Sequence, residues 1–311
     1  MPDLPDPPIA ELAELTAGLL AQPARISPKY FYDTTGSMLF EQITRLPEYY
    51  PTRTEASVMS QHGEAIARAI GPQRIVIEIG AGNCEKARLL CRQIDPAAFV
   101  GVDIAGEFLA LSVASLRADF PHLPTLAVAG DLHQAIQLPA DLPTADRLVF
   151  YPGSSIGNFD PAEAVALLQR SRQLLGRDGA LLIGVDLVKD SEVLRMAYDD
   201  AAGVTADFNL NALVHLNRLL DTNFNPAQWR HIAFYSEAEQ RIEMHLEARE
   251  DLTVRWPLGT RRFEAGERIH TENSYKHTVA GFKALLHEAG FHHAQAWTDP
   301  LEWFAVVLAH P

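Results

Sequence analysis

The chain has 311 residues, of which 47% are hydrophobic, so it is long and apolar enough to bury a large core in one domain or two. Its formal net charge of −14 argues against nucleic acid or an anionic membrane as a partner and favours a small-molecule substrate. No apolar run is long enough to span a bilayer, and the acidic, proline-rich N-terminus is unlike a secretory signal, so we expect a cytoplasmic protein.

Helices and strands alternate in the first part of the chain. The hydrophobic pattern predicts helices over 56–70, 86–93, 107–120 and 161–175, and strands over 74–79, 99–103, 125–129, 147–151 and 180–187. These strands are continuously apolar, which is typical of a parallel sheet covered by helices on both faces. We therefore expect an α/β fold with a doubly wound, Rossmann-like sheet, in which ligands bind beyond the carboxyl ends of the strands.

The alternation is interrupted after residue 189. The pattern predicts one long helical stretch over 191–220, then strand-like segments over 241–246 and 252–256, with turn residues between 257 and 266. A helix over 279–289 and a strand over 303–309 resume the alternation. Residues 190–275 are therefore predicted to be an insertion in the α/β domain.

The turn that follows the strand at 74–79 carries a cofactor signal. Its sequence is Ile77-Glu78-Ile79-Gly80-Ala81-Gly82-Asn83, and its two glycines allow a ligand to contact the backbone. The next strand ends in Asp103, a carboxylate suited to binding two ribose hydroxyls. A dinucleotide fingerprint would place a third glycine at position 85, but Glu85 stands there and would repel a pyrophosphate.

This turn resembles motif I of the S-adenosylmethionine-dependent methyltransferases. The resemblance implies a class I methyltransferase sheet whose last strand, over 303–309, is antiparallel. It also implies that the glycines pack against the cofactor and that Asp103 binds its ribose. We predict a cofactor-binding methyltransferase domain formed by residues 56–189 and 276–311, and a second, substrate-binding lobe formed by residues 1–55 and 190–275.

Longer sequence motifs narrow the resemblance to one family of methyltransferases. These motifs extend over nearly the whole chain from Pro28 onward. The motifs are Phe31-Tyr32-Asp33-Thr34, Leu46-Pro47-Glu48-Tyr49-Tyr50-Pro51-Thr52-Arg53-Thr54-Glu55, Gly153-Ser154-Ser155-Ile156-Gly157-Asn158, Asp186-Leu187-Val188-Lys189-Asp190, Ala197-Tyr198-Asp199-Asp200-Ala201-Ala202-Gly203-Val204-Thr205, Arg241-Ile242-Glu243-Met244 and Trp297-Thr298-Asp299-Pro300. They resemble the histidine Nα-methyltransferases of ergothioneine biosynthesis. The resemblance implies trimethylation of the α-amino group of free L-histidine to hercynine, with S-adenosylhomocysteine as the second product.

The same resemblance implies roles for individual residues. Asn158 is expected to hold the carboxylate and amine of the substrate, Tyr198 its carboxylate, and Tyr32 to lie near the amine. Glu272 and Ser274 are expected to hydrogen-bond the imidazole. The implied substrate set is Tyr32, Gly153, Asn158, Tyr198, Met244, Glu272 and Ser274, of which Tyr32, Asn158 and Tyr198 are the implied catalytic residues. The implied cofactor set is Tyr49, Gly80, Gly82, Lys86, Asp103, Asp131 and Leu132.

Simpler structural roles compete with three of these assignments. Asn158 precedes Asp160 and could help to cap the next helix. Tyr198 could be a phenol on the surface. Glu272 could form an ion pair with Arg268 across a turn.

The function and the partners also have alternatives. A different free amino acid, such as tryptophan or a derivative, is a second candidate substrate, because indole has a donor that Glu272 could accept. A module that binds the cofactor without catalysis would have a damaged substrate set, whereas the set is intact here. We expect a monomer. We also expect no metal site, because His287, His292 and His293 lack a cysteine or carboxylate at ligand spacing. Cys84 and Cys91 are expected to be thiols.

Overall fold

A computed structural model describes residues 9–132 and 134–311 of the chain. The chain divides into two compact units. The sheet unit comprises Pro51–Val188 and Tyr275–Pro311, and the insertion unit comprises Lys189–Ser274 with the described chain up to Tyr50. No helix of the described residues is both long enough and apolar enough to cross a membrane.

The two units together contain the following elements. The helices are α1 Ile9–Leu20, α2 Thr34–Ile43, α3 Tyr50–Ile70, α4 Glu85–Ile94, α5 Gly106–Asp119, α6 Pro161–Leu175, α7 Ser191–Tyr198, α8 Val204–Leu220 and α9 Val279–Glu288. The strands are β1 Ala24–Arg25, β2 Ile75–Ile79, β3 Ala98–Asp103, β4 Thr125–Ala129, β5 Arg147–Tyr151, β6 Ala180–Asp186, β7 Trp229–Ser236, β8 Arg241–Ala248, β9 Leu252–Trp256, β10 Gly259–Phe263, β11 Arg268–Tyr275, β12 His293–Thr298 and β13 Phe304–His310. Short 3-10 helices lie at Pro28–Phe31, Ser155–Asn158 and Pro226–Gln228.

The sheet unit is built on seven strands in the order β12-β13-β6-β5-β2-β3-β4. Strands β6, β5, β2, β3 and β4 are parallel, whereas β13 is antiparallel to both of its neighbours. The predicted α/β fold with a doubly wound sheet is therefore confirmed, including its antiparallel last strand. Every residue of β2, β5 and β6 is buried, which explains why these strands have no polar alternation.

Helices cover both faces of this sheet. Alternate residues of β2 point to opposite faces, so Ile77 packs with α6 and α9 while Val76 packs with α3, α4 and α5. The helix that precedes the sheet starts at Tyr50, six residues before its predicted start at residue 56. The other predicted helices and strands of this unit agree with the structure to within one residue at each end.

The insertion unit has its own sheet, with the strand order β1-β11-β8-β7, and a separate β9-β10 hairpin. Its core is formed by Leu213 and Leu216 of α8 against Trp229, Leu246 and Phe263. Strands β1, β7, β10 and β11 of this unit, and β12 of the sheet unit, were not predicted from the sequence. Most residues of β7 are half-buried, so it shows neither clean alternation nor a continuous apolar run.

The prediction of one helix over 191–220 is wrong. The structure has two helices, α7 and α8, separated by residues 199–203. Gly203 adopts a φ of +75°, which lies outside the helical region. The Asp200 carboxylate then accepts hydrogen bonds from the backbone N–H groups of Val204 and Thr205 at 3.0 and 2.8 Å, which caps the second helix.

A buried ion pair lies where β6 ends in the sheet unit. Lys276 Nζ is 2.9 Å from Asp186 Oδ2, and the two side chains are only 0% and 2% exposed. The next residue, His277, is half-buried, and the partial burial of its ring together with the charge of Lys276 lowers its pKa to about 4. His277 is therefore neutral at pH 7, and the buried charges here are those of the pair.

We predict that Lys276→Met lowers the free energy of unfolding by about 3–5 kcal/mol, because it leaves the Asp186 carboxylate buried without its cation. Arg195→Met is the matched control. Arg195 pairs with Glu192 and Asp199 but is 40% exposed, so we expect a loss of only about 0.2–1 kcal/mol. Urea denaturation of both variants measures the difference. Equal losses would contradict the prediction.

Candidate active site

The glycine turn of the sheet unit leaves open space against the backbone. Gly80 and Gly82 have φ values of +70° and +50°, a conformation that glycine adopts without strain. A Cβ placed on Gly82 would meet no atom within 4 Å. The backbone N–H groups of Gly80 and Ala81 donate to Val102 O at 2.9 and 3.1 Å, which fixes the turn on β3. The turn can therefore receive a ligand without rearrangement.

Asp103 ends β3 beside this turn. Its Oδ2 accepts from the backbone N–H of Gly82 at 3.0 Å, and its Oδ1 accepts from that of Ala105 at 2.9 Å. A carboxylate has about four acceptor positions, so each oxygen can still accept from a ribose hydroxyl. The two bonds hold the carboxylate against the glycine turn and fit the predicted ribose-binding role.

Glu55 connects three segments around the glycine turn. Its Oε2 lies 2.6 Å from Lys86 Nζ on α4, and its Oε1 accepts from the backbone N–H of Gly153 at 2.9 Å. The side chain is buried, with 5% of its surface exposed. Gly153 has a φ of +85°, a conformation that favours glycine, and Lys86 Nζ lies close to its Cα.

We did not predict Glu55 as a site residue, although it is the last residue of a family motif. The sequence could have indicated Glu55 only as a carboxylate at the end of a motif shared with the family. Its two contacts are with residues 31 and 98 positions further along the chain, and no local pattern in the sequence indicates them.

Acidic side chains dominate this region, and burial changes the pKa of one of them. Glu78 is buried in β2, and burial raises the pKa of its carboxyl well above the usual value. The charge of Lys86 opposes this shift, while the charges of Glu55 and Asp103 reinforce it. S-adenosylmethionine carries a sulfonium, an ammonium and a carboxylate, so its net charge is positive. The acidic surroundings therefore suit this cofactor better than a phosphate-bearing one.

The two cysteines near the turn are free and buried, as expected. Burial, with a further contribution from Glu78, raises the pKa of both thiols to about 12. Because the thiolate is the reactive form, Cys84 and Cys91 are inert at neutral pH. They pack in the core between α3, α4 and the sheet.

Two predicted adenine neighbours follow β4. Leu132 O accepts from Arg170 Nη2 at 2.9 Å. Leu132 also lines a cavity of about 190 Å³, together with Ile136, Leu167 and Leu174. Asp131 precedes Leu132 at the carboxyl end of the same strand, on the side of the sheet where ligands bind in this fold class.

Asn158 ends the short helix that follows β5. It does not cap α6, because Asp160 occupies the N-cap position and forms a capping box with Glu163. The competing structural role is therefore filled by another residue. Ser154, in the same loop, accepts from the backbone N–H of Asp186 at 2.7 Å and connects the ends of β5 and β6.

In the insertion unit, a series of aromatic ring contacts connects Tyr32 with Tyr198, whose hydroxyl contacts Ser274. The ring of Tyr32 contacts Phe40 at 5.7 Å, Phe40 contacts Tyr49 at 6.2 Å, and Tyr49 contacts Tyr198 at 6.4 Å between centroids. The hydroxyl of Tyr198 lies 2.7 Å from Ser274 Oγ. Tyr198 is 9% exposed, so it is not a phenol on the surface.

Glu272 is buried on β11, with 7% of its surface exposed. It does not pair with Arg268, whose Nε instead lies 2.8 Å from Glu247. Met244 is buried on β8, the neighbour of β11 in this sheet.

Each unit therefore brings together its own part of the predicted site. The sheet unit holds Gly80, Gly82, Lys86, Asp103, Asp131, Leu132, Gly153 and Asn158. The insertion unit holds Tyr32, Tyr49, Tyr198, Met244, Glu272 and Ser274. The roles of these residues stay predictions, as does the assignment of substrate binding to the insertion unit.

Comparison with known proteins identifies the family. Residues 12–311 match the family described as histidine-specific, S-adenosylmethionine-dependent methyltransferases. The chain is 41% identical to the histidine N-alpha-methyltransferase of Mycolicibacterium smegmatis, over 95% of this chain and 93% of that protein. It is 29% identical to ergothioneine biosynthesis protein 1 of Neurospora crassa, over 92% of this chain and 33% of that protein. It is also 25% identical to the 4-dimethylallyltryptophan N-methyltransferase of Claviceps purpurea, over 92% of this chain and 90% of that protein. The chain belongs to the family of histidine-specific, S-adenosylmethionine-dependent methyltransferases.

Proposed function

We propose that this enzyme transfers three methyl groups in succession from S-adenosylmethionine to the α-amino nitrogen of free L-histidine, forming hercynine for ergothioneine biosynthesis. The proposal rests on the presence of a buried carboxylate and a buried hydroxyl two residues apart on β11. Glu272 lies two residues before Ser274, whose Oγ is 2.7 Å from the hydroxyl of Tyr198. A neutral imidazole has one donor and one acceptor, and a carboxylate and a hydroxyl complement both.

In the sheet unit, the proposed cofactor residues have separate tasks. Asp103 binds the ribose hydroxyls, and Lys86, oriented by Glu55, binds the carboxylate of the cofactor. Gly80 and Gly82 provide backbone contact without side chains, and Leu132 provides an apolar contact for the adenine. When bound, S-adenosylmethionine supplies an electrophilic methyl carbon attached to a positively charged sulfur.

The residues that bind the substrate contribute mainly by positioning. Good alignment of the amine with the methyl carbon can supply on the order of 7–11 kcal/mol, so no covalent nucleophile is needed. In our proposal, Asn158 and Tyr198 orient the carboxylate and the amine. The ammonium must lose a proton before each transfer, and the Tyr32 hydroxyl passes this proton to water. As methyl groups accumulate, the aromatic faces of the tyrosines stabilise the growing cation.

The proposal includes a cellular setting. We propose a cytoplasmic monomer that acts on a small molecule and has neither nucleic acid nor a membrane as a partner. The net charge of −14 supports the absence of an anionic partner. Two buried free thiols are consistent with a reducing compartment.

An indole-bearing amino acid is the second candidate substrate. It is favoured by the similarity to the 4-dimethylallyltryptophan N-methyltransferase of Claviceps purpurea. An indole N–H could donate to Glu272, but indole offers no acceptor for a hydroxyl. The pairing of Glu272 with Ser274 therefore favours histidine.

We predict that Glu272→Ala raises the KM for histidine at least tenfold while the affinity for the cofactor changes little. The reason is that a hydrogen bond to a buried charged group contributes about 1.5–3 kcal/mol. Steady-state kinetics with histidine and calorimetry with S-adenosylhomocysteine measure the two effects. Glu239→Ala, at an exposed position between β7 and β8, is the control and should behave as the wild type. Unchanged histidine kinetics in the Glu272 variant would refute its role at the imidazole.

We predict that Glu55→Gln weakens binding of S-adenosylhomocysteine about tenfold, or roughly 1.4 kcal/mol. The substitution keeps the size of the side chain but removes the charge that pairs with Lys86. Glu64→Gln is the control, because Glu64 lies on the same helix, α3, in an exposed pair with Arg68. Calorimetric titration of both variants gives the dissociation constants. Equal affinities would show that the Glu55 charge has no part in cofactor binding.

A further inference from the structure

A second group of polar side chains lies in the sheet of the insertion unit, and the proposed reaction does not use it. Glu243 and His245 are on β8, and His270 is on the neighbouring strand β11. One possible ligand atom from each side chain lies within 4.8 Å of those of the other two. We propose that these three residues bind one Zn²⁺ ion.

The ligand types match this ion. Two imidazole nitrogens and one carboxylate oxygen form a three-residue Zn²⁺ set that leaves a fourth, tetrahedral position for water. Bonds of about 2.0–2.1 Å place tetrahedral ligand atoms about 3.3 Å apart, so side-chain shifts of about an ångström would close the group around the ion. Mg²⁺ and Ca²⁺ prefer sites built from oxygen ligands alone.

Neighbouring groups hold the three ligands in place. Glu243 Oε1 accepts from Arg241 Nε and Nη2 at 2.8 and 2.7 Å, while Glu243 Oε2 lies 2.9 Å from His245 Nε2. His270 Nε2 lies 2.8 Å from Asn273 Oδ1. The His245 ring is stacked on Phe234 at 5.4 Å. Hydrogen bonds from outside the group, here those of Arg241 and Asn273, typically orient metal ligands.

Nε2 of the His245 ring lies 2.9 Å from Glu243 Oε2. Within the described part of the chain, Nδ1 of His245 is buried and has no hydrogen-bond partner. One nitrogen of the ring is therefore unoccupied.

This site was not expected from the sequence. The histidine spacings considered there were those of 287, 292 and 293, whereas these ligands come from two strands and lie up to 27 positions apart. Met244 lies between two of the ligands on β8, and Glu272 lies two residues after the third on β11. Zn²⁺ would therefore bridge the two strands that carry the proposed imidazole-binding residues. The binding proposal itself does not depend on the identity of the substrate.

The test is a titration of the untagged, full-length protein with ZnCl₂ after treatment with a chelator, read by calorimetry. We expect one Zn²⁺ per chain. His245→Ala and His270→Ala should each weaken binding at least tenfold, whereas His287→Ala, at an exposed position on α9, should leave it unchanged. Circular dichroism verifies that each variant is folded.

A second measurement uses thermal unfolding. Because a ligand that binds only the folded state raises its stability, Zn²⁺ should raise the Tm of the wild type and of His287→Ala but not that of His245→Ala. Absence of stoichiometric binding by the wild type would overturn the proposal. Binding that survives in both the His245 and the His270 variants would also overturn it.

Discussion

The parallel arrangement of the central strands is the constraint on which the cofactor site depends. Strands β5, β2, β3 and β4 are neighbours and run in the same direction, so their carboxyl ends meet at one edge of the sheet. This arrangement requires burial on both faces, and α3 to α6 and α9 provide it. Gly80 follows β2, Asp103 is the last residue of β3, and Asp131 follows β4. Residues that are distant in sequence thereby reach the same edge of one sheet.

The charged side chains at this edge of the sheet suit a positively charged ligand. The carboxylates of Glu55 and Asp103 accept hydrogen bonds from backbone N–H groups. Glu78 is fully buried in β2, and burial raises the pKa of its carboxyl well above the usual value. Lys86 is paired with Glu55, and the charges of Lys86 and Arg88 both oppose the pKa shift of Glu78. The region therefore combines carboxylates with cationic side chains, and S-adenosylmethionine likewise carries charges of both signs.

Much of the sheet unit was predictable because its strands are buried on both faces and therefore read as continuous apolar runs. The insertion unit was less predictable. Strand β7 is half-buried along most of its length, and the break between α7 and α8 depends on Gly203 and the Asp200 cap, which interrupt an otherwise helical pattern. Periodicity alone does not reveal such features.

The residues of the candidate site likewise divide into those that the sequence indicated and those that it did not. The glycine turn and Asp103 form a local motif, so elementary stereochemistry indicated them. Glu272 and Ser274 came from family resemblance, because nothing in their immediate sequence requires a ligand. Glu55 and the His245–His270 pair were missed because their roles arise from contacts between distant segments. The fold that creates such contacts has to be known before they are visible.

The most direct test of the central claim is a competition among substrates. Purified enzyme is incubated with S-adenosylmethionine and an equal mixture of the twenty amino acids, and the products are separated by mass spectrometry. We expect histidine alone to gain one, two and finally three methyl groups, about 14 mass units each, with all of them on the α-amine. Methylation of tryptophan instead, or of no free amino acid, would contradict the assignment of histidine as the substrate.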